Sequence, residues 1–198
     1  MIGYVKGKLL AETGGDIILE NNGVGFQITP SAEAYKEILA NGQGAVYTYM
    51  AVREDDISLY GFKSLEEKNM FLKLITVGGI GPKMGITILS QMSLTDLAVK
   101  IATSDIKGLS QVKGLGKKKA ELIIVELREK MGEELKDAEK SKKDVVKAPV
   151  GKDVEDAMLA LTGLGFTKQQ CVAVLTKAKE QNVQGVQALI AYSLKNIK

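Results

Sequence analysis

The chain has 198 residues, enough for one ordinary domain or two to three small ones. Hydrophobic residues make up 45% and charged residues 26%, the balance of a soluble globular protein, with a formal net charge of +3. There is no histidine and one cysteine, Cys171. That composition excludes Ser-His-Asp and Cys-His catalysis, His- or Cys-based zinc sites, iron–sulfur clusters and an internal disulfide. No apolar run approaches the roughly 20 residues needed to span a bilayer. The start, Met1-Ile2-Gly3-Tyr4-Val5-Lys6-Gly7, lacks the apolar core of a signal peptide. The expectation is a cytoplasmic binding protein without cofactor, metal or membrane contact.

Residues 1–63 read as strands. Short β-prone runs occur at Ile2–Leu10, Asp16–Glu20, Gly25–Thr29, Ala45–Val52 and Ile57–Phe62. Turn clusters Thr13-Gly14-Gly15, Asn21-Asn22-Gly23 and Asn41-Gly42-Gln43-Gly44 separate them, and a helical insert, Ser31–Leu39, sits between the third and fourth. Five short strands with one interruption fit a small closed barrel of the OB type. This segment is acidic: residues 1–62 carry four bases and eight acids.

From Ser64 the apolar period becomes helical, with Leu65, Met70, Phe71, Leu74 and Ile75 in register. Ser64 with Glu67 predicts a capping box. Further helices are expected near Pro82–Gln91, Leu94–Thr103 and Lys117–Met131, so that 64–131 forms one helical domain. Residues 63–131 carry twelve bases against seven acids, which makes this the segment suited to a polyanion. The stretch from Glu133 to Lys152 alternates charge with almost no apolar residues. It can extend the preceding helix, but it has no face to bury and reads as a flexible linker over 132–152. Residues 153–198 follow as a module of three short helices, Val154–Thr162, Thr167–Glu180 and Val186–Asn196. Cys171 falls inside the second and reads as a small core residue.

The middle segment contains an internal repeat. Val77-Gly78-Gly79-Ile80-Gly81-Pro82-Lys83 matches Val112-Lys113-Gly114-Leu115-Gly116-Lys117-Lys118, with Gly114 standing 35 residues after Gly79. Each copy has the form helix, Gly-hydrophobic-Gly, helix. A tight turn between helices needs residues free to adopt φ > 0, hence glycine. Ile80 and Leu115 can plug inward. Gly79, Gly81, Gly114 and Gly116 let a ligand approach backbone amides, and the following helix presents its free N–H groups and positive dipole end, which makes an anion site. Lys83 and Lys117, Lys118 and Lys119 add charge for a phosphate. For a single copy, a plain helix cap and turn explains the pattern equally well; two in-register copies, each followed by lysine, favour a DNA-backbone site. Neither copy is a nucleotide fingerprint. Met84 and Lys119 occupy the third-glycine position, and no Gly-Lys pair precedes Ser or Thr, so no P-loop is present.

This pattern resembles the helix-hairpin-helix motif, a sequence-independent binder of DNA backbone. Two copies after a five-stranded barrel, then a charged linker and a small helical module, resemble the RuvA family of Holliday junction branch migration subunits along the whole chain. The resemblance rests on Met1-Ile2-Gly3 with Gly7, Asn22-Gly23-Val24-Gly25-Phe26, Val52-Arg53-Glu54-Asp55, Leu59-Tyr60-Gly61-Phe62 and both hairpins; the linker and tail match more loosely. It implies an α+β multidomain fold: an OB-type barrel, a tandem helix-hairpin-helix domain, a flexible linker and a three-helix ubiquitin-associated-like domain. It implies a flat homotetramer, with one tetramer or two facing each other on four-way junction DNA. It also implies a partner ATPase, RuvB, that drives branch migration, RuvC resolvase in the same complex, and roles in recombination, DNA repair and the SOS response. In this family Glu54 and Asp55 correspond to an acidic pin at the crossover, which Asp56 makes more acidic. Read from the residues alone, Arg53-Glu54-Asp55-Asp56 is polar turn chemistry between two strands. The last module, with its Gly163-Leu164-Gly165-Phe166 turn, corresponds to the motor-binding domain. Leu161, Leu164, Leu189 and Ile190 are candidate partner contacts, and equally candidates for the core of so small a module.

The expected function is a non-enzymatic junction-binding subunit with no catalytic residues. Two alternatives stand beside it: a general structure-selective DNA-repair accessory protein, and a Mg²⁺-dependent nuclease using Glu54, Asp55 and Asp56. Three neighbours on one turn make poor metal-ligand geometry for the second.

Overall fold

The computed structural model describes residues 1–140 and 151–197. They fall into two compact units, Met1–Ser93 and Leu94–Lys198. The segment 64–131, expected as one domain, is divided between them, one hairpin to each.

The first unit opens with β1 (Tyr4–Thr13), β2 (Asp16–Asn21), β3 (Val24–Pro30), β4 (Gln43–Val52) and β5 (Ile57–Phe62), which form a closed barrel in the order β1-β2-β3-β5-β4. The closing pair is parallel, with Thr29 opposite Tyr60 and Pro30 opposite Gly61; the other pairs are antiparallel. Alternate residues point inward, and Val5, Ile17, Leu19, Ile28, Val46 and Leu59 fill the interior. Helix α1 (Ala32–Asn41) joins β3 to β4 and adds Ala34 and Ile38 to the same core. This is the OB-type barrel that the spacing of the strands and the helical insert predict.

Helix α2 (Leu65–Leu74) is seated by Phe71, a fully buried ring. Its centroid lies 4.7 Å from that of Phe62, 5.2 Å from Tyr49 and 5.8 Å from Tyr60. These tilted pairs add to the area they bury. Helix α3 (Pro82–Gln91) follows across the first Gly-x-Gly turn.

The expected capping box at α2 forms only in half. The Glu67 amide donates to Ser64 Oγ at 3.2 Å, but the Glu67 carboxylate does not return to the Ser64 amide. Its Oε2 accepts from the Lys63 amide and from Ser31 Oγ, each at 2.8 Å. Ser31 is the N-cap of α1, so a buried carboxylate ties the start of α2 to the start of α1. Tertiary burial has redirected a local cap.

The second unit contains α4 (Leu94–Ala102), α5 (Ile106–Leu109), α6 (Lys117–Lys140), α7 (Lys152–Gly163), α8 (Lys168–Glu180) and α9 (Val186–Asn196). Two features depart from the expectations. Helix α6 continues through Lys140, past the expected linker start at 132, because Glu, Lys, Ala and Leu are strong helix formers. The remainder of the expected linker, 141–150, lies outside the described residues. The three C-terminal helices also do not pack only on each other. Helix α7 lies against α8 and α9 and also against α4 and α6. Its buried set, which includes Val154, Ala157, Met158 and Leu161, is wider than a single apolar stripe. Arg128 of α6 reaches Asp156 of α7 at 3.6 Å and the Ile101 carbonyl at 3.4 Å. Cys171 is buried, as expected, and burial pushes its thiol up to about 11, so it is an inert packing residue. Among the described residues no helix is long and apolar enough to cross a membrane.

The Glu67 joint generates a stability prediction. Burial raises the Glu67 carboxyl above its ordinary range. A carboxyl raised in the folded state binds its proton more tightly there than in the unfolded chain, so its contribution weakens as pH rises through that range. Glu67→Ala orphans two donors and should destabilise by about 2–4 kcal/mol. Glu67→Gln keeps an acceptor, should cost less, and should remove this part of the pH dependence. Urea denaturation from pH 4 to pH 8 checks both.

Candidate nucleic-acid interface

The two hairpins share one hydrogen-bond pattern. In the first, the Ile80 amide donates to the Val77 carbonyl at 3.0 Å, and the Met84 and Gly85 amides converge on the Gly81 carbonyl at 3.0 and 2.9 Å. In the second, Leu115 donates to Val112 at 2.9 Å, and Lys119 and Ala120 converge on Gly116 at 3.0 and 3.1 Å. The sequence repeat is therefore a repeat of backbone geometry. Val77, Ile80, Val112 and Leu115 are buried and hold each turn against its helices.

The four glycines do different work. Gly79 and Gly114 sit at φ 77° and φ 83°, where a side chain is strained. Gly81 has an ordinary φ of −91°. At Gly81 and at Gly116, a Cβ would meet nothing within 4 Å. Neither fold strain nor internal packing requires glycine at those two places. What a bare Cα does supply there is a close approach for something outside the chain.

That approach leads to helix starts. Helix α3 begins with Pro82, and no side chain caps it. The Lys83 amide, at the second helical position, has no acceptor one turn back and is left to an outside one. Helix α6 begins immediately after Gly116, which has no side chain to cap it. Lys83, Lys118 and Lys119 are exposed beside these starts, as is Lys117, whose ammonium also lies 3.9 Å from Glu121. Each hairpin thus combines open amides, a positive helix end and lysine, the combination that binds phosphate. All eight residues expected at the DNA site stand at these two turns.

The second hairpin has a feature that the periodicity did not reveal. Its leading helix is the four-residue α5, fixed at its start by Asp105. Asp105 Oδ1 accepts from the Gly108 amide at 2.8 Å, and its Oδ2 lies 3.3 Å from Lys100 Nζ. The amide bond, with Lys100 beside it, holds the Asp105 carboxyl below its ordinary range. An Asp three residues before a glycine was the available signal, hidden by the shortness of the helix.

Glu54, Asp55 and Asp56 occupy the exposed turn between β4 and β5, closed by the Arg53 amide donating to the Asp56 carbonyl at 2.8 Å. Asp56 also accepts from the Ser58 hydroxyl. Among the described residues, no group of acids gathers in a way that could hold a metal ion. Leu161, Leu164, Leu189 and Ile190, the candidate partner contacts, are all buried, at most 2% exposed. In this structure they build the core, because a three-helix module this small needs its large apolar side chains inside.

The glycines provide a test that separates fold from binding. Gly81→Ala and Gly116→Ala should leave stability within about 0.5 kcal/mol of the parent while weakening DNA binding about tenfold. Gly79→Ala and Gly114→Ala should each cost about 1–2 kcal/mol of stability. Thermal melts and gel shifts on the four variants distinguish the two pairs.

Comparison with known proteins agrees with this architecture. Residues 1–61 match the family model of the RuvA N-terminal domain, 71–129 the SAM-like helix-hairpin-helix tandem, and 152–198 the RuvA C-terminal domain. Among curated relatives, the chain is 36% identical to the Holliday junction branch migration complex subunit RuvA of Lactobacillus johnsonii, covering 98% of this chain and 100% of that protein. It is 34% identical to that of Acetivibrio thermocellus, over 100% and 98%. The Shewanella amazonensis protein of the same name is 36% identical over the full length of both. With a barrel, two hairpins and a C-terminal module each matched in order along its length, the chain belongs to the RuvA family of Holliday junction branch migration complex subunits.

Proposed function

We propose that this chain binds four-way junction DNA without catalysing a reaction itself, and that it positions a partner ATPase of the RuvB type for branch migration in recombination and repair. The observation that carries the reading is the duplicated hairpin, with the same hydrogen bonds, the same open glycine and lysines at the same helix start in each copy. Such sites touch backbone and not base edges, so selectivity has to come from how several arms are held at once. A homotetramer supplies that symmetry, one hairpin pair per arm. The same symmetry accommodates one tetramer or two facing each other on the junction, with a RuvC-type resolvase as a further partner.

The acidic turn takes the role of a pin in this reading. Three exposed carboxylates repel phosphate. Placed at the crossover, they steer separated strands away from the centre and into new arms. Motor recruitment falls to the C-terminal module, through exposed side chains rather than its buried leucines.

Binding to a four-way junction against linear duplex, read beside solution mass, tests the reading; equal affinity would favour a general repair accessory protein. Lys83→Glu with Lys118→Glu should weaken junction binding strongly. The plot of log K against log salt should also become shallower, by about 0.9 for each phosphate that the variant no longer neutralises. Glu54→Gln with Asp55→Asn should hold or tighten binding to both DNAs and shrink the preference for the junction. Loss of affinity together with loss of Mg²⁺ dependence would point to the nuclease alternative.

A further inference from the structure

Lys83 does more than stand at the front of α3. It lines an open cleft of about 590 Å³ whose other walls include Asp16 and Gln27 with Thr29 from β2 and β3, and Asp56 and Ser58 at the foot of the acidic turn. That volume is in the range of small-ligand clefts, roughly 300–1,000 Å³, and accommodates one nucleotide.

The β2–β3 wall has a fixed polarity. Gln27 Nε2 donates to Asp16 Oδ2 at 3.0 Å, and Thr29 Oγ1 donates to Asp16 Oδ1 at 2.7 Å. A carboxylate only accepts, so it compels both neighbours to donate inward. Gln27 is then left with its carbonyl oxygen and its second N–H for an outside group, and Thr29 with its hydroxyl lone pairs. The wall therefore offers acceptors beside one amide N–H, a set that matches a base edge carrying an exocyclic amino group. Lys83 in the same cleft matches a phosphate. Lys83 is the one cation among the described residues that line the cleft, and the Asp16 and Asp56 carboxylates repel phosphate, so a nucleotide fits with its phosphate at Lys83 and its base edge at Gln27 and Thr29.

In a paired, stacked arm the base edges are confined to the grooves. At a crossover the pairs part, and a base edge becomes available to a protein wall. Resting on the junction reading above, we propose that this cleft is a subsite for a single nucleotide at the crossover, phosphate on Lys83 and amino edge on Gln27 and Thr29, with Asp16 as the positioning residue. It would give a protein that reads backbone one interaction that exists only where strands exchange.

The experiment uses the full chain and a four-way junction carrying 2-aminopurine, whose fluorescence rises on unstacking, either at the crossover or in mid-arm. The parent chain should raise the crossover signal and leave the mid-arm signal unchanged. Gln27→Ala at an exposed position and Thr29→Val, a near-isosteric change at a half-buried one, should each lower junction affinity roughly five- to tenfold, abolish the crossover signal and change duplex affinity less than twofold, with a thermal melt confirming that each variant is folded. If both variants keep the parent signal and affinity, or weaken junction and duplex equally, the subsite is wrong. A parent chain that binds junction and duplex equally would instead remove the junction reading, and the subsite with it.

Discussion

An α-helix that begins without a capping side chain leaves its first amides to be satisfied from outside. Helices α3 and α6 both begin that way, each directly after a glycine and beside lysine. Side-chain caps are worth about 1 kcal/mol, and the chain uses them elsewhere: Ser31, Ser64, Asp105 and Thr167 each accept a backbone amide at a helix start. The two hairpins lack them, as α7 and α9 do after Gly151 and Gly185; what sets α3 and α6 apart is that each uncapped start follows a copy of the repeated Gly-x-Gly turn. The open amides are useful only if a phosphate can come within hydrogen-bonding distance, which is why the missing Cβ at Gly81 and Gly116 matters more than their backbone angles.

Open helix starts select for DNA only if they are held rigidly, since an anion site that moves forfeits the advantage of being preorganised. The first hairpin is held through α2, by the Phe71 ring among Tyr49, Tyr60 and Phe62, and by the buried Glu67 carboxylate shared between Lys63 and Ser31. The second is held by the short capped α5 and by α6, with α7 laid across α4 and α6 and joined by Arg128 to Asp156. The C-terminal module is thus part of the scaffold of the second unit as well as a candidate docking element for a motor.

Charge is divided along the chain in a way that serves this arrangement. The hairpin segment carries an excess of bases, and the barrel segment an excess of acids. In the proposed reading, attraction for phosphate falls at the glycine turns and repulsion at Glu54, Asp55 and Asp56. A uniformly basic surface would bind any duplex in any orientation, whereas a surface that both attracts and repels restricts where a strand can run.

Much of this was determined by the sequence itself. The barrel strands, the helical insert, the repeat and its lysines are local signals, set by side-chain alternation, turn residues and fixed spacing, and they emerged where they were expected. Tertiary structure decided what depends on residues far apart in the chain. Glu67 left its local capping box because burial next to Ser31 offered a better donor. Helix α6 ran on into residues that composition alone assigns to a linker, because helix propensity needs no buried face. Leu161, Leu164, Leu189 and Ile190 went to the core, a choice that a pattern of apolar residues cannot make, since a docking face and a buried face look alike until packing selects one. The β2–β3 hairpin, with Ile17 opposite Ile28, already sets Asp16 beside Gln27 and Thr29, but their meeting with Lys83 in one cleft required α3 to be laid beside the barrel. A strand residue and a residue on a later helix carry no record of one another in their spacing, so only the folded chain brings Lys83 to this wall.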